Sequence, residues 1–380
     1  MFKVGVATFP LDYGKCPFWL FERMKRFSRA ITIAIIEEYG KEEFLKRLAD
    51  PIWFQSFGCA IGFDYNSSGL TTITLGALKE ALRGLESDVE IFICGGKKNS
   101  RKTPDEIREW GSFLGWDEEK IEKMVYNSKI SAKVDSALLQ DGYQLYHHNF
   151  IFSKSGDWIV IQQGMQPENK TARRYHWLSF KIKSFTKEPH SGIISQFKVK
   201  RPLNLLAKES EKNKKICLEL ATKEPKTFLK DIKIISEKSS HLIKQKRFPF
   251  FVEMEMKDVE FYHHPVEKEK FDLKRLKRII EKIHFFNPKN FEQLLMIEGV
   301  GPKTIRALTL VSELIYGAPP SYEDPARYSF CVGGKDKTPY PIDKKTYDEI
   351  LEVMEKGIEK AKISNKEKEK AKRRLYGEIR

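Results

Sequence analysis

Ile297-Glu298-Gly299-Val300-Gly301-Pro302-Lys303-Thr304-Ile305-Arg306 is the stretch whose reading decides the C-terminal half of this chain. An apolar residue, two glycines one residue apart, and a Lys-Thr pair open an amphipathic run. The glycines permit a tight turn that no Cβ obstructs. Backbone N–H groups then point outward beside the positive end of the following helix, which suits an anion such as a phosphate. A clamp of this kind holds a nucleic-acid backbone without reading its sequence.

The flanks agree with this reading. Asp272 precedes a helical stripe of Leu273, Leu276, Ile280 and Ile283, with Lys274, Arg275, Lys277 and Arg278 off that stripe. Phe291, Leu294 and Leu295 predict a short helix before the turn. Ile305, Leu308, Val311 and Ile315 predict the buried face of a second helix after it, stopped by Gly317 and Pro319-Pro320. Together these elements form the pattern of a helix-hairpin-helix.

Toward the N-terminus, Trp19 to Gly40 predicts a helix with Leu20, Met24, Phe27 and Ile31 on one side. Cys59–Phe63 and Val89–Cys94 read as buried strands flanking a helix through Leu75, Leu78 and Leu82, which suggests a strand–helix–strand crossover. Tyr143–Ser153 and Trp158–Met165 alternate around Ser155-Gly156-Asp157 and predict a hairpin, with a third strand at Arg174–Phe180. The expected architecture is an α/β domain over 1–185, a helical connector over 186–255, a helix-hairpin-helix domain over 256–354 and a basic charged tail over 355–380. That tail, rich in Lys and Arg, predicts a frayed, solvated helix that brushes against DNA.

The formal charge of +15, from 68 Lys+Arg against 53 Asp+Glu, favours a polyanionic partner. A surface rich in Lys and Glu explains charge density but not its positive excess. No stretch reaches transmembrane length and the N-terminus lacks a signal-peptide layout, so no membrane partner is expected and the expected location is cytoplasmic. The cysteines Cys16, Cys59, Cys94, Cys217 and Cys331 stand singly. Their odd number and the lack of any Cys-x-x-Cys argue against a disulfide framework or a zinc ribbon; they read as buried small hydrophobes.

Three constellations could carry function. In the hairpin, Gly299, Gly301 and Thr304 are expected at a phosphate, with Lys303 beside them. In a second basic loop, Gly95, Gly96, Lys97, Lys98, Arg101 and Lys102 leave a strand and enter Thr103-Pro104-Asp105-Glu106, a capping-box start. Glycines, cations and a helix start make a second phosphate seat; Asp64–Thr72 is predicted at the equivalent place after the preceding strand. Third, Asp135, Asp141, His147, His148 and Gln162 gather carboxylates, imidazoles and an amide able to hold a divalent metal, Mg or Mn, for phosphodiester hydrolysis. Adjacent strand residues face opposite ways, so only one of His147 and His148 points into such a site. A structural role for the histidines competes with this reading, and His263-His264 reads as a turn.

Glu298-Gly299-Val300-Gly301-Pro302-Lys303-Thr304 resembles the endonuclease-III-like branch of the helix-hairpin-helix DNA glycosylases. The resemblance implies that Lys303 is a Schiff-base nucleophile and Asp343, in Tyr340-Pro341-Ile342-Asp343, its electrostatic partner, with no cofactor required. The 40-residue gap between them is longer than in that branch, and the branch's cluster cysteines are absent. Over nearly its whole length the chain also resembles domain-of-unknown-function family 763, through Cys16–Met24, Asp50–Gln55, Lys133–Asp135 to His147-His148, Gln162–Met165 and Arg173–Trp177. The expected function is a DNA-processing or repair enzyme, a glycosylase or abasic-site lyase. The alternatives are a metal-dependent nuclease acting from the N-terminal domain, and a non-enzymatic nucleic-acid-binding factor. DNA is favoured over RNA.

Overall fold

The computed structural model describes residues 16–63, 68–96, 102–195, 198–242, 271–326 and 344–375. Helices α1 (Phe18–Tyr39), α2 (Lys41–Leu48), α3 (Pro51–Ala60), α4 (Gly69–Leu82) and α5 (Glu86–Val89) precede strand β1 (Ile91–Gly95). Helices α6 (Thr103–Phe113) and α7 (Glu118–Ala137) follow. Then come β2 (Leu139–Gln140), β3 (Gln144–Ser153), β4 (Trp158–Gln166), β5 (Thr171–Leu178), β6 (His190–Ser195) and β7 (Leu203–Asn204). The rest is helical: α8 (Glu211–Thr222), α9 (Pro225–Leu242), α10 (Leu273–Phe286), α11 (Phe291–Met296), α12 (Pro302–Leu314), α13 (Lys344–Lys360) and α14 (Asn365–Leu375). A region mixing helices and strands is thus followed by a mostly helical one. The chain forms two compact units. One comprises Met1–Ser136, Asp141–Pro202 and Glu323–Arg380, the other Ala137–Gln140 and Leu203–Tyr322.

In the larger unit, α1 follows the expected stripe: Met24, Phe27, Ile31 and Ile35 are buried, and Gly40, at φ +85, ends the helix. Asp50 starts α3 by accepting from the Ile52 and Trp53 N–H groups at 2.8 and 2.9 Å, with Pro51 in the first turn. Cys59–Phe63, expected as a strand, is instead the end of α3 and the turn after it. Trp53, Phe54, Phe57, Ala60 and Ile61 are all buried. A helix buried on most sides loses the amphipathic period that separates it from a buried strand.

Without that strand, no strand–helix–strand crossover forms among the described residues. The sheet has the order β1-β3-β4-β5-β6, and every neighbouring pair is antiparallel. The β3–β4 hairpin turns at Ser155-Gly156-Asp157, where Gly156 has φ +101. Ile91, Ile93, Ile151, Ile159, Ile161 and Leu178 on one sheet face join the apolar sides of α1 to α4 in a single core. Met354 and Ile358 of α13, with Ala371 of α14, belong to that core as well. The C-terminal helices are therefore anchored, where the sequence predicted a solvated, frayed tail: a minority of apolar positions suffices once another helix lies beside them.

In the smaller unit, β2 pairs with β7 and α8 packs on α12. Asn213 of α8 donates to the carbonyls of Thr309 (3.3 Å) and Ala318 (2.6 Å), tying α8 to the end of α12. Asp272 caps α10 through the Arg275 N–H at 3.0 Å, and Asn290 caps α11 through the Gln293 N–H at 2.8 Å. Leu276, Ile280, Ile283, Phe291, Leu294, Leu295, Ile305, Leu308 and Val311 are buried as their spacing predicts. Leu273 and Ile315, assigned to the same stripes, are not, because they lie at helix ends that leave the core.

Cys94 and Cys217 are buried, whereas Cys16 and Cys59 are only half-buried; Cys331 lies outside the described residues. Burial pushes the Cys217 thiol up to about 12, so it stays a neutral apolar filler. Among the described residues no helix is long and apolar enough to cross a membrane.

Candidate functional site

The turn between α11 and α12 is exposed. Gly299 has φ +92, a conformation that a side chain would strain, and a Cβ there would stand 3.6 Å from Ile279 of α10. Val300 is buried and its N–H closes the turn on the Ile297 carbonyl at 3.2 Å. Gly301 precedes α12 in an extended conformation, and a Cβ on it would meet nothing. Pro302 occupies the first turn, where its missing N–H is no loss, and no side chain caps the helix. The first-turn amides of Lys303 and Thr304 therefore begin α12 without a side-chain acceptor.

Lys303 and Thr304 line a cleft of about 470 Å³ whose walls also include Asp272, Arg275, Ile279, Gly299 and Gly301. Lys303 is exposed and Thr304 buried. The backbone N–H groups of Arg275 and Lys274 hold the Asp272 carboxyl below the usual carboxylate range, so one wall also carries a fixed negative charge. Lys282 bonds Glu298, the residue before Gly299, at 2.8 Å. Asp343 lies outside the described residues.

The second glycine pair differs. The Gly95 N–H donates to Glu106 at 2.6 Å and the Gly96 N–H to the His148 carbonyl at 2.8 Å. A Cβ on Gly95 would lie 2.3 Å from that carbonyl oxygen. Both amides are thus engaged by the protein itself. Glu106, expected to close a capping box, instead bonds Gly95 and Lys79, and Thr103 is already inside α6 behind Lys102. Lys97, Lys98, Arg101 and residues 64–67 lie outside the described residues, and Gly69–Thr72 of the expected second loop are the first turn of α4.

The acid–imidazole–amide group separates into three environments. On the sheet face toward α7, Ser128 and His148 Nε2 share a hydrogen bond of 2.9 Å, and His148 Nδ1 meets Gln162 Oε1 at 2.8 Å. Gln162 donates in turn to Asp135. The same carboxylate accepts from Trp177 Nε1 at 2.9 Å and pairs with His190 Nε2 at 2.5 Å. Asp135, His148 and Gln162 are buried. Burial is the main reason that the His148 imidazole is held below its ordinary range.

Asp141 stands in a second group. It accepts from the Tyr143 N–H at 3.0 Å, Tyr175 at 2.8 Å and Arg173 at 2.7 Å. Arg173 also forks onto both oxygens of Asp324, at 3.1 and 2.7 Å, and none of these three charged side chains is solvent-accessible. Burial opposes the charge on Arg173, but Asp141, Tyr175 and Asp324 hold it firmly protonated. His147 is buried on the opposite face, where it pairs in register with Gln163. The alternation rule thus divided the two histidines as expected.

Arg173, Tyr175, Trp177, His190 and Asp324 had no place among the candidate residues, yet they complete both groups. The available signal was the two-residue period of Arg173, Tyr175 and Trp177 on β5, which places all three on the face of His148 and Gln162. Nothing in the sequence links Asp324 to this face. Among the described residues, no group of three or more His, Cys, Asp or Glu side chains is arranged to hold a metal ion.

The chain matches, over residues 5–342, the model of the family described as Protein of unknown function (DUF763), and it belongs to that family. No curated protein and no solved structure matches it.

Proposed function

We propose that the smaller unit binds the sugar–phosphate backbone of nucleic acid, DNA in preference to RNA, through a helix-hairpin-helix formed by α11, the glycine turn and α12. One observation carries this reading: the start of α12 has no side-chain cap and opens, beside two glycines and the exposed Lys303, onto an accessible cleft. Helix-start amides of that kind favour an anion, and a turn without Cβ atoms lets a strand approach closely. Arg275 and Lys303 add mobile positive charge, and Asp272 limits how far a phosphate enters on its side.

The chemistry served by this grip is DNA processing or repair. Lys303 is the candidate nucleophile and Asp343 the candidate electrostatic partner. On an abasic sugar the Lys303 amine would add to C1′ and expel water to form an imine. The step requires a group that takes a proton from the amine. Hydrolysis at Asp135, His148 and Gln162 has less support, because all three are buried and bonded to neighbours.

Incubation with duplexes containing an abasic site, with borohydride in one arm and EDTA in another, tests the reading. Salt-sensitive binding that weakens in Gly301→Ala and Lys303→Ala is expected. A covalent adduct lost in Lys303→Ala identifies lyase chemistry. EDTA-sensitive cleavage that survives Lys303→Ala moves catalysis to the other unit, and no binding at low salt sinks the proposal.

A further inference from the structure

We infer that the C-terminal end of α10 is a stacking platform for unpaired bases, so that the preferred ligand is a duplex that continues into a single strand. This rests on the backbone-binding reading above and adds the substrate class to it. Phe285 and Phe286 end α10 at 82% and 58% exposure, their rings 5.4 Å apart and nearly perpendicular at 84°. They are not part of the helix's buried stripe, which Leu276, Ile280 and Ile283 already supply.

Their position relates them to the cleft. Arg275, Ile279, Lys282 and Phe286 follow one another at intervals of four, three and four residues, which aligns them along one side of a helix. Arg275 and Ile279 line the cleft, and Lys282 bonds Glu298 immediately before Gly299. Phe286 lies seven residues past Ile279 on that line, about 10 Å at 1.5 Å per residue. Roughly three stacked nucleotides at about 3.4 Å each span that distance.

The chemistry of the two ends is complementary. The start of α12 offers amides to a phosphate, whereas the end of α10 presents carbonyls, which repel phosphate, together with two aromatic faces. Phenylalanine has no hydrogen bond to offer a base edge and can take only a base face. Residues 271–289 contain six Lys or Arg against Asp272 and Glu281. Rings set among cations suit a polyanion carrying flat apolar groups better than an apolar protein surface.

Fluorescence anisotropy on the full chain tests this, with one labelled blunt duplex and the same duplex bearing an overhang of about ten nucleotides, the overhang being long enough to pass Phe286. The overhang duplex is expected to bind tighter by on the order of ten-fold, the scale of one or two stacked bases. The double variant Phe285→Leu/Phe286→Leu, which keeps apolarity but removes both rings, should lose that preference and keep wild-type affinity for the blunt duplex. Phe286→Tyr should retain the preference. Equal wild-type affinity for the two duplexes, or a preference undiminished in the double Leu variant, overturns the platform and leaves backbone binding standing; the second result marks the patch as an apolar docking face. Failure of the wild type to bind either duplex sinks both readings.

Discussion

The sheet face of the larger unit and the start of α12 in the smaller unit hold their polar groups in opposite ways. In the larger unit, Asp135, Asp141, His148, Gln162 and Arg173 are buried and hydrogen-bonded to one another or to neighbours such as Trp177, Tyr175 and Asp324. In the smaller unit, the uncapped start of α12, the glycine turn and Lys303 line an accessible cleft. Buried polar groups must find partners inside the protein because water cannot reach them. Once satisfied, such groups have little capacity left for a ligand. Residue type alone therefore does not separate polar groups engaged inside the fold from a helix start that lines an accessible cleft.

The comparison can be broken most forcefully at Arg173. Arg173→Met leaves Asp141 and Asp324 buried without their shared cation, and a loss of about 3–5 kcal/mol is expected in denaturant unfolding. A loss below about 1 kcal/mol would mean that this group is hydrated and not structural.

The pH dependence of stability comes next. Burial, then for His176 the nearby Arg174, keeps the imidazoles of His148 and His176 below their ordinary value of 6.5, His176 well below. The unfolded chain takes up protons on them below about pH 6.5 while the folded chain does not, so stability falls as pH drops through that window. The slope is at most about 1.4 kcal/mol per pH unit for each histidine. His148→Gln should flatten it in urea melts at pH 5 to 7; an unchanged slope would show that His148 titrates freely.

The glycines sharpen the contrast. Gly299→Ala strains a φ of +92 and should cost about 1–2 kcal/mol of stability as well as nucleic-acid affinity. Gly301→Ala has room for its Cβ, so thermal melts should be unchanged while affinity falls. If Gly301→Ala binds like the wild type, the turn does not touch the ligand.

Lys303→Ala should have the smallest effect on the fold, within about 0.5 kcal/mol as for an exposed side chain. It should lower the slope of log affinity against log salt by about one. An unaltered slope would place Lys303 away from phosphate.

Much of the architecture was readable in the sequence where one side of an element meets the core and the other meets water. The stripes of α1, α10, α11 and α12 and the β3–β4 hairpin follow directly from such periods. Cys59–Phe63 misled because α3 is covered on most sides, and a buried helix and a buried strand then look alike. The ends misled too: Ile315 continues the α12 stripe in sequence but lies at 42% exposure beyond the last turn.

By itself, the sequence determined the glycine turn, its Lys-Thr start and the positive charge around it, because local backbone freedom and charge are properties of neighbouring residues. It also determined that His147 and His148 would part, since strand geometry alternates. Only the tertiary structure decided that Asp135 would meet Trp177 and His190, that Arg173 would fork onto Asp324, and that Gly95 and Gly96 would spend their amides internally. Those contacts join residues 11 to 151 positions apart, and no local period records which distant group will fill a buried hydrogen-bonding need.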